Sequence, residues 1–286
     1  MPAGRTHISP RRAQQKLVDA HFHGNVARWR KVYEEASLEG AIYRERLALV
    51  LRWVDGLTMP RGAHILEIGC GTGVTVAALA RRGYLVEAVD SVAAMLTSTR
   101  EHAAGAAVTP SVSSSLGDAH NLAFAEGAFS LVLAIGVLPY LHSPRKAVRE
   151  MARVLKPGGV LLVTAGNRWR LNHVLDPWLC PALQPAKRVV GAVLRRSGRR
   201  RSGPPGLVLR LSSLRELGSW LASAGLAAVK AKTVGFEPLT FHYRRLFGEQ
   251  ASIRLNRWLQ RLADHEVPGI RSSGMDYLVL ARKAEG

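Results

Sequence analysis

The sequence predicts an α/β fold in which seven strands form one mostly parallel sheet with helices on both faces. Three observations support this prediction. Short apolar runs alternate with helical patterns between residues 64 and 165, a glycine-rich loop follows the first run, and two further strand-like runs come later in the chain. Strands that are separated by helices in this way form parallel sheets that are covered on both faces.

Strands are expected where a short apolar run is bounded by turn residues. The runs are residues 64–69, 85–90, 112–117, 129–137, 160–165, 227–235 and 276–281. Helices are expected where apolar residues recur at spacings of three and four. These segments are residues 13–36, 39–57, 74–82, 144–155, 212–224 and 251–263. One more helix follows the second strand and ends near residue 104. The motif K-P-G-G at 156–159 predicts a turn before the fifth strand.

Changes in composition suggest how the chain is organised. Residues 1–12 contain Pro, Gly and Arg without periodicity, and we expect them to be disordered. Residues 13–58 are expected to form an N-terminal helical cap ahead of an α/β domain at 59–286. Within that domain, residues 167–206 and 237–270 interrupt the alternation of strands and helices. They are expected to be two inserted lid segments.

The number and spacing of cysteines and histidines indicate whether the chain holds a metal site and which cellular compartment it suits. The chain has two cysteines, Cys70 and Cys180, which cannot build a disulfide framework or a four-cysteine zinc site. Its ten histidines show no metal-ligand spacing, so we expect no metal. No apolar stretch is long enough to span a membrane, and no apolar region follows the basic N-terminus, so we expect a cytoplasmic protein.

The charge is strongly basic, with a formal net charge of +19. Residues 168–215 contain eleven Arg or Lys and one acid, Asp176. Residues 187–201 combine an apolar cluster with flanking basic residues, which favours peripheral contact with an anionic membrane at its inner face. RNA contact is less favoured, because no aromatic residue that could stack on bases lies between Trp178 and Trp220. A solvated cap without a partner is the remaining interpretation.

The loop I-L-E-I-G-C-G-T-G at residues 65–73 indicates a ligand site at the carboxyl edge of the sheet, since glycine loops of this kind bind phosphates, dinucleotides or other nucleotides. A phosphate-binding P-loop is excluded, because no lysine follows the glycines before Lys146. A dinucleotide site is disfavoured, because the third glycine of its fingerprint is missing. The spacing that remains is E-x-G-x-G-x-G.

This motif resembles the first motif of the class I S-adenosylmethionine-dependent methyltransferases. Three later segments resemble that family as well: Asp90 at the end of the second strand, G-D-A-H-N-L-A-F at 117–124, and R-V-L-K-P-G-G-V-L-L-V at 153–163. Ala123 and Ser130 depart from the usual Pro and Asp. The resemblance implies a Rossmann-like fold over about residues 60–166 and S-adenosyl-L-methionine as the cofactor.

The resemblance also implies which residues bind the cofactor. Glu67 would orient the loop or meet the ammonium group, Asp90 would accept from both ribose hydroxyls, and Asp118 would accept from the adenine amino group. Glycines let the backbone approach the ligand without a Cβ clash. The complete set is Glu67, Gly69, Cys70, Gly71, Gly73, Asp90, Ser91, Met95, Asp118, Ala119 and Ile135.

The implied reaction is an in-line displacement, in which the protein brings a nucleophile to the methyl carbon and excludes water. An oxygen or nitrogen nucleophile also needs to lose a proton. His142, after the fourth strand, and His173, in the first insertion, are the candidate bases. A wider set of side chains could face the acceptor: Tyr33, Tyr43, Arg44, Tyr140, Asn172, His242 and Tyr243.

The leading hypothesis is methylation of a small-molecule or lipid-like acceptor, in the manner of the methyltransferases of quinone biosynthesis. An RNA-modifying methyltransferase is the first alternative. The second is a non-catalytic protein that binds the cofactor or another partner. The presence of Glu67, Asp90 and Asp118 together argues against the latter.

Overall fold

The computed structural model describes residues 10–187, 189, 207 and 209–285. The strands are β1 His64–Ile68, β2 Leu85–Asp90, β3 Val112–Leu116, β4 Phe129–Ala134, β5 Leu155–Gly166, β6 Leu226–Val234, β7 Thr240–Phe241, β8 Arg244–Arg245 and β9 Asp276–Lys283. Seven of them form one sheet in the order β3-β2-β1-β4-β5-β9-β6. Strands β1 to β5 pair in parallel, and β9 lies antiparallel between β5 and β6. The predicted seven-stranded, mostly parallel sheet is confirmed.

Helices cover both faces of this sheet, as predicted. They are α1 Pro10–His23, α2 Val26–Lys31, α3 Leu38–Asp55, α4 Val74–Ala80, α5 Ala93–Gly105, α6 Pro144–Val154, α7 Leu171–Leu175, α8 Leu214–Ala222 and α9 Glu249–Asp264. On one face, Met151 of α6 and Leu217 of α8 are buried in a single apolar cluster. On the other face, Val50 of α3, Leu79 of α4 and Leu96 of α5 belong to a second cluster.

The N-terminal region is helical but differs from the expected single helix at 13–36. Helix α1 already begins at Pro10, inside the segment expected to be disordered, and residues 1–9 lie outside the described ones. The helix breaks after His23, where Asn25 donates its side-chain amide to the His21 carbonyl at 2.6 Å. Asparagine competes with helical hydrogen bonds in this way, so α1 ends here and α2 begins as a separate helix.

The motif K-P-G-G at 156–159 lies inside β5, which begins at Leu155, and it is not the free turn that was predicted. The ladder between β4 and β5 is irregular between Phe129 and Leu131, and Gly158 has a φ of +70°. An irregular strand start of this kind lets Pro and Gly lie within a strand without breaking the sheet.

The two inserted segments contact each other above the carboxyl edge of the sheet. In the first, Asn172 accepts the Thr240 amide of the second at 2.7 Å through Oδ1. Asp176 accepts the Thr240 hydroxyl at 2.6 Å. Helix α9 of the second segment packs on α3 through Ile253, which contacts Leu38 and Ile42. The remainder of the first segment, and most of the basic stretch 187–201, lies outside the described residues.

Candidate active site

A cavity of about 270 Å³ opens at the carboxyl ends of β1, β2 and β4, beneath helices α1 to α3. One half is formed by the sheet and the glycine loop. The residues of this half are Glu67, Ile68, Gly69, Cys70, Gly71, Thr72, Val74, Thr75, Val89, Asp90, Ser91, Met95, Gly117, Asp118, Ala119, Ile135, Gly136 and Val137. The other half is formed mainly by the N-terminal helices and contains Gln15, Val18, Asp19, Phe22, Trp29, Tyr33, Tyr43, Arg46, Tyr140 and Leu141.

The glycine loop needs its glycines for two different reasons. Gly69 has a φ of +67°, and a Cβ there would lie 2.5 Å from Cγ2 of Val137. Its glycine therefore allows close packing within the protein. Gly71 has a φ of +55°, but a Cβ there would meet no protein atom within 4 Å. Because Gly71 lines the cavity, this bare surface is available to a ligand.

Asp90 ends β2 and connects it to the loop. Its Oδ2 accepts the Gly71 amide at 3.0 Å, and its Oδ1 accepts the Val92 amide at 3.0 Å. Burial raises the pKa of this carboxyl group, while the amides of Gly71, Val92 and Ser91 oppose the rise. An ionised carboxylate has about four acceptor sites, so these amides leave acceptor capacity for a ligand hydroxyl.

Glu67 is a buried acid whose Oε2 has no hydrogen-bond partner. Burial raises its pKa to about 8, a hydrogen bond from Thr75 opposes the rise, and the charge of Asp90 adds to it. Buried polar atoms are nearly always paired, so this oxygen indicates a missing cationic or donor group. The ammonium group of an amino acid would satisfy it.

The neighbouring loops complete the first half of the cavity. Met95 of α5 is buried against it. The side chain of Asp118 is 59% exposed, and its Oδ1 accepts both the backbone amide of His120 at 2.9 Å and the His120 ring at 2.6 Å. The His120 ring lowers the pKa of Asp118 against the effect of partial burial. Ala119 is buried, and Ile135 follows β4.

Helix α1 is linked directly to the end of β2. Asp19 accepts the Ser91 hydroxyl at 3.0 Å and the Gln15 amide at 2.8 Å. Ser91 and Asp19 both line the cavity. The N-terminal helices therefore form one wall of the site and contact the same strand end that carries Asp90.

Aromatic rings form most of the second half, which we call the aromatic chamber: Phe22, Trp29, Tyr33, Tyr43 and Tyr140. Phe22 and Tyr140 meet edge to face with centroids 4.9 Å apart. Tyr33 and Tyr43 do the same at 5.8 Å. Nε1 of Trp29 is buried without a hydrogen-bond partner. Aromatic walls with few polar groups are typical of small-molecule pockets.

One cation is buried against this chamber. Arg46 of α3 lies over the Tyr43 ring, with the guanidinium carbon 4.2 Å from the centroid. Its Nη1 is 3.4 Å from Oδ2 of Asp276, the first residue of β9. Both side chains are nearly inaccessible, with 7% and 12% exposure. Burial raises the pKa of Asp276, and the charges of Arg46 and Arg170 oppose the rise.

Comparison with known proteins agrees with this geometry. A family described as "Methyltransferase domain" matches residues 66–163. The ubiquinone biosynthesis O-methyltransferase of Paracidovorax citrulli is 29% identical over 196 residues, which cover 68% of this chain and 76% of that protein. The demethylmenaquinone methyltransferase of Renibacterium salmoninarum is 28% identical over 201 residues, which cover 67% and 79%. Residues 66–163 therefore carry a methyltransferase domain, and the chain is similar to S-adenosylmethionine-dependent methyltransferases over about two thirds of its length.

A solved structure shares the fold of this methyltransferase over nearly the whole chain. The magnesium protoporphyrin IX methyltransferase of Synechocystis PCC 6803, with bound SAH, is 14% identical and superposes with a TM-score of 0.62. The match covers 95% of this chain and 100% of the other. At this identity the match describes architecture and carries no residue roles.

The first half of the cavity fits S-adenosylmethionine. Gly71 leaves an open backbone surface, Asp90 keeps acceptor capacity, and the unpaired oxygen of Glu67 suits an ammonium group. Ten of the eleven residues expected at the cofactor line this half, and Gly73 does not. A Cβ on Gly73 would lie 2.8 Å from Cα of Thr99, so this glycine allows α4 and α5 to pack.

Neither histidine candidate lines the cavity. His142 stacks on His120 with ring centroids 3.7 Å apart, and the His120 ring in turn accepts the Ser143 amide. His173 lies on α7, where burial and the nearby Arg170 lower its pKa to about 4. The structure therefore does not place either ring where it could take a proton from an acceptor.

Of the wider set of candidates, Tyr33, Tyr43 and Tyr140 line the chamber, but Arg44 does not. Arg44 is exposed and donates to the carbonyls of Tyr33 and Glu35. The cation in the chamber is Arg46, which the sequence analysis missed. The sequence feature that could have revealed Arg46 is its position on the apolar face of α3, together with Ile42, Leu49 and Val50.

Within the described part of the chain, no group of three or more His, Cys, Asp or Glu side chains could hold a metal ion. No described helix is both long and apolar enough to cross a membrane.

Proposed function

We propose that this methyltransferase acts on a hydroxyl oxygen of a small, aromatic, lipid-like acceptor of the quinol type. The observation that supports this proposal most directly is the aromatic chamber, which is continuous with the cofactor half of one cavity. A flat ring matches its edge-to-face aromatic walls. Two relatives, named as ubiquinone biosynthesis O-methyltransferase and demethylmenaquinone methyltransferase, add to this support.

Residues of the chain position the reactants and exclude water. Glu67, Asp90 and the glycine loop hold the cofactor head, while the aromatic chamber orients the acceptor ring. When bound in the first half of the cavity, S-adenosylmethionine would supply an activated methyl group. Its C–S bond would be replaced by a C–O bond to the acceptor, and the hydroxyl proton would go to water. Helices α1 to α3 cover the cavity, and a dry, closed site strengthens its electrostatic interactions.

The test is transfer of a radioactive methyl group from S-adenosylmethionine to defined acceptors. A catechol with a short isoprenoid tail, the same compound with both oxygens already methylated, and total RNA are offered in parallel. We expect label only in the catechol, as an O-methyl group by mass spectrometry. Label in RNA would support an RNA-modifying enzyme. Tight cofactor binding with no transfer to any acceptor would support a non-catalytic protein.

We also propose that the lid segments contact an anionic membrane from which such an acceptor is drawn. Residues 187–201 carry the basic cluster, and Lys187, at its described end, lies near the exposed Trp178. Trp178, Phe241 and Tyr243 are 44%, 51% and 67% exposed, and Lys187 lies 5.6 Å from the Trp178 ring. Aromatic and basic side chains together are typical of interfacial contacts.

Sedimentation with lipid vesicles tests this contact. We expect binding to vesicles that contain phosphatidylglycerol, weaker binding at high salt, and none to phosphatidylcholine alone. Replacing Phe241 and Tyr243 together with serine is expected to reduce the bound fraction while leaving cofactor affinity unchanged. Equal binding to both lipids would contradict the proposed electrostatic contact.

A further inference from the structure

Arg46 lies at the junction between the two halves of the cavity. A Cβ built on Gly136 would be 3.7 and 3.8 Å from its two terminal nitrogens. Gly136 stands between Ile135 and Val137, which both line the cavity, and Val137 packs directly against Gly69 of the glycine loop. The guanidinium group is therefore next to the strand end where the cofactor half meets the aromatic chamber.

The known partners of Arg46 leave it hydrogen-bonding capacity. Arginine has five N–H donors and stays charged at every ordinary pH. Among the described residues, Asp276 is the carboxylate within ion-pair distance, at 3.4 Å, and this contact involves Nη1. Tyr43 offers the face of its ring, and the hydroxyl of Tyr33 also interacts with the guanidinium. A buried arginine with a single long carboxylate contact is suited to a further anion.

No histidine is among the described residues that line the cavity, and the acids Glu67, Asp90 and Asp118 lie in the cofactor half. Asp19, on α1, already accepts the Ser91 hydroxyl and the Gln15 amide. Burial raises the pKa of Tyr33, Tyr43 and Tyr140, so these phenols remain protonated donors. An acceptor hydroxyl in this site must therefore lose its proton for a reason other than a strong protein base.

We propose that Arg46 binds the nucleophilic oxygen of the acceptor as an oxyanion and so lowers the pKa of that hydroxyl inside the cavity. This inference rests on the proposed O-methylation. The proton leaves to bulk water as the acceptor binds, so the oxygen is ionised before the transfer. A fixed cation in a water-poor site stabilises a developing or existing oxyanion strongly.

The charged and titratable groups that face Arg46 come from four parts of the fold. They are Tyr33 before α3, Tyr43 on α3, Tyr140 after β4 and Asp276 of β9. Arg170 acts on Asp276 from the first insertion. The unpaired oxygen of Glu67 lines the cofactor half, where pairing with the ligand's ammonium group would offset its charge.

A bound chromophore tests the inference without turnover. 4-Nitrophenol, whose phenolate absorbs visible light, is titrated with pH in the presence of S-adenosylhomocysteine. With wild-type protein we expect the pKa of the bound phenol to fall by about one unit or more, a tenfold or larger change in its ionisation constant. Arg46→Gln is expected to remove the shift. Arg52→Gln, an exposed arginine on the same helix, is expected to retain it.

Turnover with acceptors of graded acidity provides the second readout. Ring-substituted catechols are compared by kcat/KM in wild type, Arg46→Gln and Arg46→Lys. We expect Arg46→Gln to lose about 100-fold with the least acidic catechol and far less with the most acidic one, because the latter is ionised in water. Its pH profile should move to higher pH. Arg46→Lys keeps the charge and should recover part of the loss.

Three results would overturn the inference. One is an unshifted pKa of the phenol bound to wild-type protein, which needs no variant and so does not depend on how the variants fold. Another is a loss of activity in Arg46→Gln that is equal for every catechol. This result is expected if Arg46 serves only as a structural partner of Asp276. The third is methylation of catechols by Arg46→Gln with the same activity as wild type. If wild-type protein methylates no catechol at all, the proposed function itself fails.

Discussion

The backbone amide of Gly71 donates to Oδ2 of Asp90 at 3.0 Å, which ties the glycine loop after β1 to the end of β2. Two adjacent parallel strands therefore present one continuous polar edge to the cofactor. Asp90 shapes the loop, and we expect it to bind the ligand as well. Substitutions at either residue should for this reason affect cofactor affinity more than they affect folding.

Replacing Asp90 with asparagine tests the ribose contact. The amide keeps the size and one acceptor oxygen but loses the charge, so hydrogen bonds from ligand hydroxyls weaken. We expect S-adenosylhomocysteine affinity to fall by about 10- to 100-fold, which corresponds to about 1.4–2.8 kcal/mol. Titration calorimetry measures it. Asp55→Asn, which removes an exposed acid paired with Arg82 outside the cavity, is the control. Equal affinity in Asp90→Asn would remove this residue from the site.

Cofactor binding should release a proton from Glu67. The carboxyl group has a pKa of about 8 in the free protein, so it is mostly protonated at pH 7. Pairing with the ligand's ammonium group favours the ionised form and lowers the pKa. Calorimetry at pH 7 in buffers of different ionisation enthalpy should show release of nearly one proton. In Glu67→Gln this release should disappear, and its persistence there would assign the proton to another group.

The same carboxyl group should make the free protein less stable as pH rises. Its folded pKa of about 8 lies above the ordinary value of 4.5. The folded state therefore holds a proton that the unfolded state has released, and stability falls between these two pH values. Thermal melting at pH 5 and pH 8 should show a smaller decrease for Glu67→Gln than for wild type. Parallel curves would contradict the assigned burial effect.

Gly71→Ala should separate cofactor binding from backbone strain. The new methyl group meets no protein atom within 4 Å but points into the space where a ligand would lie. The left-handed backbone costs about 1–2 kcal/mol of stability with any side chain. Gly62→Ala is the matched control, because Gly62 has a φ of +77° with open space and lies outside the cavity. Both variants should melt lower, and only Gly71→Ala should lose cofactor affinity.

Asp19→Ala should loosen the wall that α1 forms over the cofactor. It removes the acceptor for the Ser91 hydroxyl and the Gln15 amide. The hydrogen bond from Ser91 is exposed and the one from Gln15 is partly buried, so the loss of folding stability should be about 0.5–1.5 kcal/mol. We expect S-adenosylhomocysteine to dissociate several-fold faster in stopped-flow experiments that follow tryptophan fluorescence. Lys16→Ala, at an exposed position of the same helix, should leave the dissociation rate unchanged.

The sheet and the cofactor half could be predicted from sequence because their signals are local. The glycines, Glu67 and Asp90 are set by short spacings at strand ends, and parallel strands bring those ends together. The chamber depends on long-range packing. The sequence analysis named Arg44 and missed Arg46. Residues two positions apart on a helix lie on different faces, so Arg46 is buried at the chamber while Arg44 is exposed. His142 looked suitable because it follows β4, but its ring turns towards His120.

Strand β9 is synthesised last among the described strands, yet it lies inside the sheet between β5 and β6. A growing chain that ends before Asp276 therefore leaves the inner edge of β5 unpaired and Arg46 without its carboxylate partner. Exposed strand edges pair readily with other chains. During translation, the nascent polypeptide should depend on chaperone protection until these residues emerge from the ribosome.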